Sequence, residues 1–227
     1  MPQPPDLQIV DAPAVQVGDL LADQARLGGS IVLTGGSEPG AAYERAAKLE
    51  PDWSKVSLWW GDDRCVPPED ALSNYRLAKE TLLDKLEQQP REVHRIRGEL
   101  EPTEAADLLD GELEGVELDF LLLGLGPDAH VGSLFPGSPQ LAVEHRRAVS
   151  GPAGLEPFVD RVTMTMPEIQ SAKRIVFIVS GEAKAEAVAR AFGGEISPEA
   201  PASLVRLAPV RVEVFLDRAA ASRLGSG

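Results

Sequence analysis

The segment VELDFLLLGLGPDAHVGSLFPGSP, residues 116–139, joins an apolar run to a polar, glycine-rich turn. The apolar run from Leu118 to Leu125 has the length and composition of a strand that is buried on both faces. Pro127 must end this strand, because proline has no N–H to donate to a sheet. The turn that follows carries Asp128 and His130. Ligands of open parallel sheets bind at the carboxyl ends of strands, so this turn is a candidate site.

Strand-like and helix-like segments alternate along the rest of the chain. The predicted strands are 7–10, 31–33, 56–60, 93–96, 118–125, 162–166, 174–179 and 210–216, with a weaker pattern at 146–149. The predicted helices are 13–27, 39–49, 73–86, 101–113, one with an apolar face over 185–192, and a short one near residue 204. This alternation predicts α/β architecture with a mostly parallel sheet covered by helices on both faces. We expect a single domain over 1–227 with a small antiparallel addition from its weakly patterned middle.

Composition narrows the class of protein. The chain has 227 residues, is 43% hydrophobic and contains one cysteine, Cys65, which excludes an internal disulfide and fits a reducing compartment. The first residues lack the basic region and the apolar region of a secretion signal. No stretch approaches the roughly 18 to 20 apolar residues needed to span a membrane. We therefore expect a soluble, cytoplasmic protein without a membrane partner. The net charge of −14 argues against nucleic-acid binding.

Three predicted strands end in polar turns: Gly35-Gly36-Ser37, Asp62-Asp63-Arg64 and Asp128-Ala129-His130. A parallel sheet would bring all three turns to the same edge. The first turn precedes a helix, whose unpaired N–H groups bind anions. The alternative is an ordinary strand-to-helix turn with Ser37 as the helix cap. The turn matches neither a Walker loop nor GxGxxG, so it implies no nucleotide.

His130 is one of three histidines, and a lone histidine is more often structural than catalytic. Its position after a buried strand favours a general base that removes a proton from water. Asp128 is too close in sequence to be assumed as its orienting partner. No pair of ligand-type residues has the spacing of a metal site, so we predict no metal.

Cations are needed locally if an overall acidic protein binds an anionic substrate. Arg64 would contact substrate oxygens or form an ion pair that shapes the site, although charge clusters are more often solvated turns. Considered singly, Arg161 and Lys184 are each expected to be surface charges. Together they could supply the local positive charge that a phosphorylated ligand requires. Cys65 has no paired base nearby to activate it as a nucleophile. Trp59 and Trp60 are expected in the core.

Several spaced motifs follow one another along nearly the whole chain. They are Gly35-Gly36-Ser37, 59–67 (WWGDDRCVP) with Asp70 and Ser73-Asn74-Tyr75, 123–130 (LGLGPDAH) with 133–137 (SLFPG), Arg161-Val162-Thr163, 181–184 and 201–203. In these motifs and their order, the chain resembles the 6-phosphogluconolactonase family. Where the family usually has Gly, Thr and Ala around its histidine, this chain has Ala129, Val131 and Gly132. Asp62-Asp63-Arg64 occupies the position where the family usually has Asp-Glu-Arg, and Glu38 occupies a position where the family commonly has Thr.

The resemblance implies a doubly wound sheet shared with glucosamine-6-phosphate deaminase and ribose-5-phosphate isomerase. It also implies hydrolysis of 6-phosphogluconolactone in the pentose phosphate pathway, with His130 as general base and no metal, cofactor or covalent intermediate. The implied substrate-binding residues are Gly35, Gly36, Ser37, Asp62, Arg64, Asp128, Arg161 and Lys184, with Arg161 and Lys184 as phosphate cations. The expected partner is the phosphorylated sugar lactone, and we expect a monomer while leaving an oligomer open.

Two other functions remain open at this point. Glucosamine-6-phosphate deaminase shares the histidine turn, but an Asn-Glu-Pro type segment follows it where Ser133-Leu134-Phe135-Pro136-Gly137 stands here. A non-catalytic sugar-phosphate sensor would keep the anion loop and the cations without requiring His130.

Overall fold

A computed structural model describes residues 3–225 and contains ten strands, numbered here in chain order. They are β1 Asp6–Ile9, β2 Gly29–Leu33, β3 Val56–Trp60, β4 Asp62–Arg64, β5 Glu92–His94, β6 Phe120–Leu123, β7 Ala148–Gly151, β8 Arg161–Met164, β9 Ile175–Val179 and β10 Val212–Leu216. The predicted strands are therefore all present, and the weak pattern at 146–149 corresponds to β7.

The central sheet has seven strands in the order β1-β10-β9-β6-β2-β3-β5, and every neighbouring pair is parallel. The chain leaves β2 toward β3 on one side and leaves its neighbour β6 toward β9 on the other. Because crossovers between parallel strands are right-handed, the two directions place helices on opposite faces of the sheet. The predicted α/β class, doubly wound with helices on both faces, is confirmed.

Seven α-helices within residues 3–225 connect these strands. They are α1 Pro13–Leu27, α2 Ser37–Leu49, α3 Asn74–Thr81, α4 Pro102–Glu112, α5 Met166–Ser171, α6 Ala185–Val188 and α7 Pro201–Leu204. The helix predicted at 185–192 is composite: a 3₁₀ turn at Glu182–Lys184 precedes α6, and a π-helical turn at Ala189–Gly193 follows it. Helix α3 ends earlier than predicted, and a 3₁₀ turn at Leu83–Lys85 continues it.

A second sheet forms where the sequence predicted a charged turn. Strand β4 pairs antiparallel with β8, and β8 pairs antiparallel with β7. Asp62-Asp63-Arg64 is therefore a short strand, and both aspartates are buried. The register places Arg64 opposite Arg161. The expected small antiparallel addition is confirmed, and it carries three of the predicted site residues: Asp62, Arg64 and Arg161.

The core fills the space between the sheet and its helices. Trp59 and Trp60 are 2% and 0% exposed, as expected for core residues. Gly18 of α1 lies against α2, where a Cβ would come within 2.9 Å of the carbonyl oxygen of Ala42, so the two helices pack closely. No helix within residues 3–225 has both the length and the apolar character needed to cross a membrane.

Candidate active site

A cleft of about 270 Å³ lies at the carboxyl ends of β2, β3 and β6. Strands β2 and β6 are the neighbours from which the chain diverges, and such switch points are where open α/β sheets bind ligands. The cleft is lined by these predicted residues: Gly35, Gly36, Asp62, Arg64, His130, Arg161 and Lys184. The three polar turns at strand ends thus converge on one cavity.

Two predicted residues do not line the cleft. Ser37 is exposed and is the first residue of α2, whose N-cap is Gly36 with a φ of 118°. The interpretation of Ser37 as the cap is therefore wrong, because the backbone at the cap position adopts a conformation suited to glycine. Asp128 is not among the residues that line the cleft and instead contacts the ring of His130.

Asp128 and His130 form a pair. Nδ1 of His130 lies 2.6 Å from Oδ1 of Asp128, and the same oxygen accepts the backbone N–H of His130 at 3.1 Å. An ionised carboxylate only accepts hydrogen bonds, so Nδ1 carries the proton and Nε2 is left as an acceptor. Burial alone would raise the pKa of Asp128, but the hydrogen bonds and charge of His130 outweigh burial and lower it. The structure therefore pairs Asp128 with His130, a contact that the sequence alone did not predict.

A sharp turn makes this contact between near neighbours geometrically accessible. Ala129 has a φ of 68°, and its N–H donates to the carbonyl of Gly126 at 3.0 Å. The N–H of Gly126 in turn donates to the carbonyl of His130 at 3.0 Å. A Cβ on Gly126 would lie 2.0 Å from Nδ1 of His130, so only glycine fits beneath the imidazole.

Arg64 and Arg161 form the cationic side of the cleft. Arg161 is 5% exposed, and burial, followed by the neighbouring charge of Arg64, lowers its pKa. Its Nη2 donates to the carbonyl of Pro157 at 3.0 Å. The Nε atoms of both arginines are buried and have no protein partner among the described residues. Two adjacent guanidinium groups with unused donors can bind an oxyanion.

Lys184 contributes a third cation to the cleft. Its Nζ donates to the carbonyl of Leu125 at 2.6 Å, directly before the turn that carries His130. Burial lowers the pKa of Lys184, and the negative charge of Asp128 partly offsets this effect. Lys184 is therefore a half-buried cleft residue rather than a surface charge.

Asp62 and Asp63 have different structural roles. Oδ2 of Asp62 accepts the hydroxyl of Ser133 at 2.7 Å, which ties β4 to the segment after His130. Asp63 points away from the cleft and accepts the backbone N–H groups of Asn74 and Tyr75 at 2.7 and 3.0 Å. Asp63 thus anchors the start of α3, where its charge interacts favourably with the helix dipole.

Several cleft residues were not predicted as site residues: Thr34, Asn74, Gly126, Ser133, Phe135, Leu155 and Glu156. Asn74, Ser133 and Phe135 occur in the motifs that carried the resemblance, so a signal for them was present. The ring of Phe135 packs against that of His130, with 4.5 Å between the ring centroids. Leu155 and Glu156 lie in a loop without a recognisable motif.

Two alternative chemistries find no support in the geometry. Burial, followed by the charges of Asp160 and Asp63, raises the pKa of Cys65 to about 11, so its thiol stays protonated and poorly nucleophilic at neutral pH. Within residues 3–225, no cluster of three or more His, Cys, Asp or Glu side chains is arranged to bind a metal ion.

A doubly wound parallel sheet with an Asp–His pair and a cationic cleft at its switch point defines an α/β enzyme that acts on a small anionic substrate. Comparison with known families identifies it further. The chain belongs to the family described as "Glucosamine-6-phosphate isomerases/6-phosphogluconolactonase", which matches residues 10–214.

Individual relatives agree with this assignment. A 6-phosphogluconolactonase of Mycobacterium tuberculosis is 35% identical, with 98% of this chain and 97% of the relative covered. A 6-phosphogluconolactonase of Streptomyces coelicolor is 34% identical, with 89% and 85% covered. A crystal structure described as "devB protein" superposes with a TM-score of 0.84 at 31% identity and covers 97% of this chain and 99% of that chain.

Proposed function

We propose that this protein hydrolyses 6-phospho-D-glucono-1,5-lactone to 6-phospho-D-gluconate in the oxidative pentose phosphate pathway. Relatives that carry the name 6-phosphogluconolactonase match it over most of both chains. The observation that carries the proposal is that His130, paired with Asp128, lines the same cleft as Arg64, Arg161 and Lys184. A base for water and a cradle for a phosphorylated sugar thus share one cavity.

In the proposed mechanism, Nε2 of His130 accepts a proton from a water molecule as its oxygen attacks the lactone carbonyl carbon. The imidazolium that forms is stabilised by the carboxylate of Asp128. The tetrahedral intermediate collapses by breaking the bond to the ring oxygen, which takes the proton from His130 and becomes a hydroxyl group. Free imidazole and a linear carboxylic acid result, so the step needs neither a metal nor a cofactor.

The cations are divided between the two ends of the substrate. We assign Arg161 and Lys184 to the phosphate, because both are partly or fully buried and line the cleft. Asp62 and Arg64 contact the sugar hydroxyl groups or hold the shape of the cavity. In a chain with a net charge of −14, these buried cations provide the attraction that the surface as a whole lacks.

Glucosamine-6-phosphate deamination is the second candidate, because the family description covers both activities. The segment Ser133–Gly137 favours the lactonase. Ser133 bonds to Asp62, and Phe135 packs on His130, so this segment builds the cleft wall where the deaminase type has a different motif. A sensor without catalysis would not require the ordered Asp128–His130 pair.

The test is a side-by-side assay of 6-phosphogluconolactone hydrolysis and glucosamine-6-phosphate deamination, corrected for spontaneous lactone opening. We expect lactone hydrolysis that is unchanged by a chelator and that falls by about 10² to 10⁴ in His130→Ala. The exposed His145 provides a matched control, and His145→Ala should retain full activity. Ammonia release without lactone hydrolysis would establish the deaminase, and binding of 6-phosphogluconate without either turnover would establish the sensor. Inhibition by the chelator would disprove the metal-independent mechanism.

A further inference from the structure

The side-chain amide of Asn74 lies between two of the three polar segments of the cleft, Gly35-Gly36-Ser37 and Asp62-Asp63-Arg64. Asn74 is the first residue of α3 and is 3% exposed. Its Nδ2 donates to the carbonyl of Asp62 at 2.9 Å, and its Oδ1 accepts Nη1 of Arg64 at 2.9 Å. The backbone of Gly35 packs directly on the amide, since a Cβ at Gly35 would lie 1.9 Å from Oδ1. One side chain therefore contacts the loop after β2 and strand β4.

Each polar atom of this amide has a protein partner, so the amide can hold a neighbouring group in a fixed orientation. That group is Arg64. Its Nη1 donates to Asn74 and also to the carbonyl of Leu72 at 2.6 Å. Two acceptors on one terminal nitrogen fix the plane of the guanidinium group, which is rigid. Nε of Arg64 is buried and has no hydrogen-bond partner among the described residues.

Asparagine is the residue type that this position requires. The site needs a donor toward the carbonyl of Asp62 and an acceptor toward Arg64 on one short planar group. Aspartate lacks the donor and would place a third carboxylate beside the buried Asp62 and Asp63. Glutamine is longer by one methylene group, and the close approach of Gly35 leaves no room for it.

We infer that Asn74 is a positioning residue, which holds the guanidinium group of Arg64 in the orientation that binds an anionic sugar-phosphate ligand. This inference rests on the proposed function. It requires that the loss of Asn74 acts through Arg64 and not through general loosening of α3.

The test is a double-mutant cycle with Asn74→Ala, Arg64→Ala and the double variant. It measures kcat/KM for lactone hydrolysis and, by calorimetry, the dissociation constant of 6-phosphogluconate. We expect Asn74→Ala to lower kcat/KM and affinity by roughly 10-fold, because groups that share one network are strongly coupled. In the Arg64→Ala background, the same substitution should cost less than about twofold.

Ser73→Ala is the matched control. Ser73 is the N-cap of α3 and bonds to Asp63 and to the N–H of Arg76, so its loss weakens the same helix start without touching Arg64. Its kcat/KM should stay within about twofold of the wild type. If Asn74→Ala does not fold, Asn74→Ser serves instead, because serine is tolerated at helix starts but is too short to reach both partners.

Two outcomes would overturn the inference. One is a full-size effect of Asn74→Ala in the Arg64→Ala background, and the other is wild-type affinity in Asn74→Ala itself. A wild-type protein that binds 6-phosphogluconate but does not hydrolyse the lactone would refute the proposed function alone. The calorimetric cycle would then still decide the role of Asn74.

Discussion

The Asp128–His130 pair predicts different consequences for two substitutions of the same aspartate. Oδ1 of Asp128 accepts both the ring Nδ1–H and the backbone N–H of His130. In Asp128→Asn, the backbone N–H must still face an acceptor, so the amide oxygen stays at this position and the amide nitrogen occupies the other. The asparagine therefore preserves the tautomer of His130 and removes only the negative charge.

The expected losses follow from this geometry. A hydrogen bond to a charged group contributes about 1.5 to 3 kcal/mol, compared with about 0.5 to 1.5 kcal/mol for a neutral one. The difference of about 1 to 1.5 kcal/mol corresponds to a decrease in kcat of about 5- to 15-fold for Asp128→Asn. Asp128→Ala also releases the ring from its orientation, and we expect a loss of about 100-fold or more.

The assay measures kcat from the formation of 6-phosphogluconate, with the spontaneous reaction subtracted. Asp52→Asn is the matched control, because Oδ1 of Asp52 accepts the N–H of Ser54 at 2.9 Å across the same two-residue spacing. Asp52 lies before β3, away from the cleft, and the variant should retain wild-type turnover. Equal losses in Asp128→Asn and Asp128→Ala would refute the argument that the backbone N–H fixes the amide orientation.

Two further predictions concern the cleft and the pH dependence of stability. Arg161→Ala should raise KM for the phosphorylated lactone by roughly 10- to 100-fold, the loss expected for a charge-assisted hydrogen bond, and should hardly change it for plain gluconolactone. Equal effects on both substrates would remove Arg161 from phosphate binding. Burial, modified by the charges of Arg147 and Asp110, raises the pKa of Glu168 from 4.5 to about 7, so this group favours the folded state at low pH and loses that contribution as pH rises through 7. Urea unfolding should therefore show Glu168→Gln to be more stable than the wild type by about 2 kcal/mol at pH 8, with the difference shrinking toward pH 5; a constant difference would contradict this origin.

Local patterns were sufficient to predict most elements of the fold. The bounds of α1 and β3 are those predicted, because Pro13 suits the first turn of a helix and 56–60 is a short apolar run. Strand β4 was missed, since its three polar residues show no apolar alternation. It forms because β8 offers a partner about 100 residues later in the chain, and no local pattern reports such a pairing.

The site residues also differ in whether local sequence patterns could predict their positions. The positions of Gly35, Gly36 and His130 in the cleft follow from strand ends that meet at one edge of a parallel sheet. The contact of Ser133 with Asp62 joins residues 71 positions apart, and it depends on how the two sheets meet. Asp128 was predicted to bind substrate and was not assumed to orient His130, because a contact across two residues needs an unusual backbone conformation at the residue between them.

That residue is Ala129, which stands where the resembling family usually has glycine and adopts a φ of 68°. A left-handed conformation costs a non-glycine residue about 1 to 2 kcal/mol. Compared with glycine, the buried methyl group of Ala129 stabilises the folded state by about 0.8 kcal/mol. The smaller conformational entropy of alanine in the unfolded chain contributes a further stabilisation of about 0.4 to 1 kcal/mol. The carbonyl of Ala129 also accepts the N–H of Ala202 at 2.9 Å, and Nη1 of Arg190 donates to the carbonyl of Asp128 at 3.2 Å. Because these contributions nearly cancel, and because two donors from the far side of the turn fix its shape, alanine can replace glycine here without displacing His130 from Asp128.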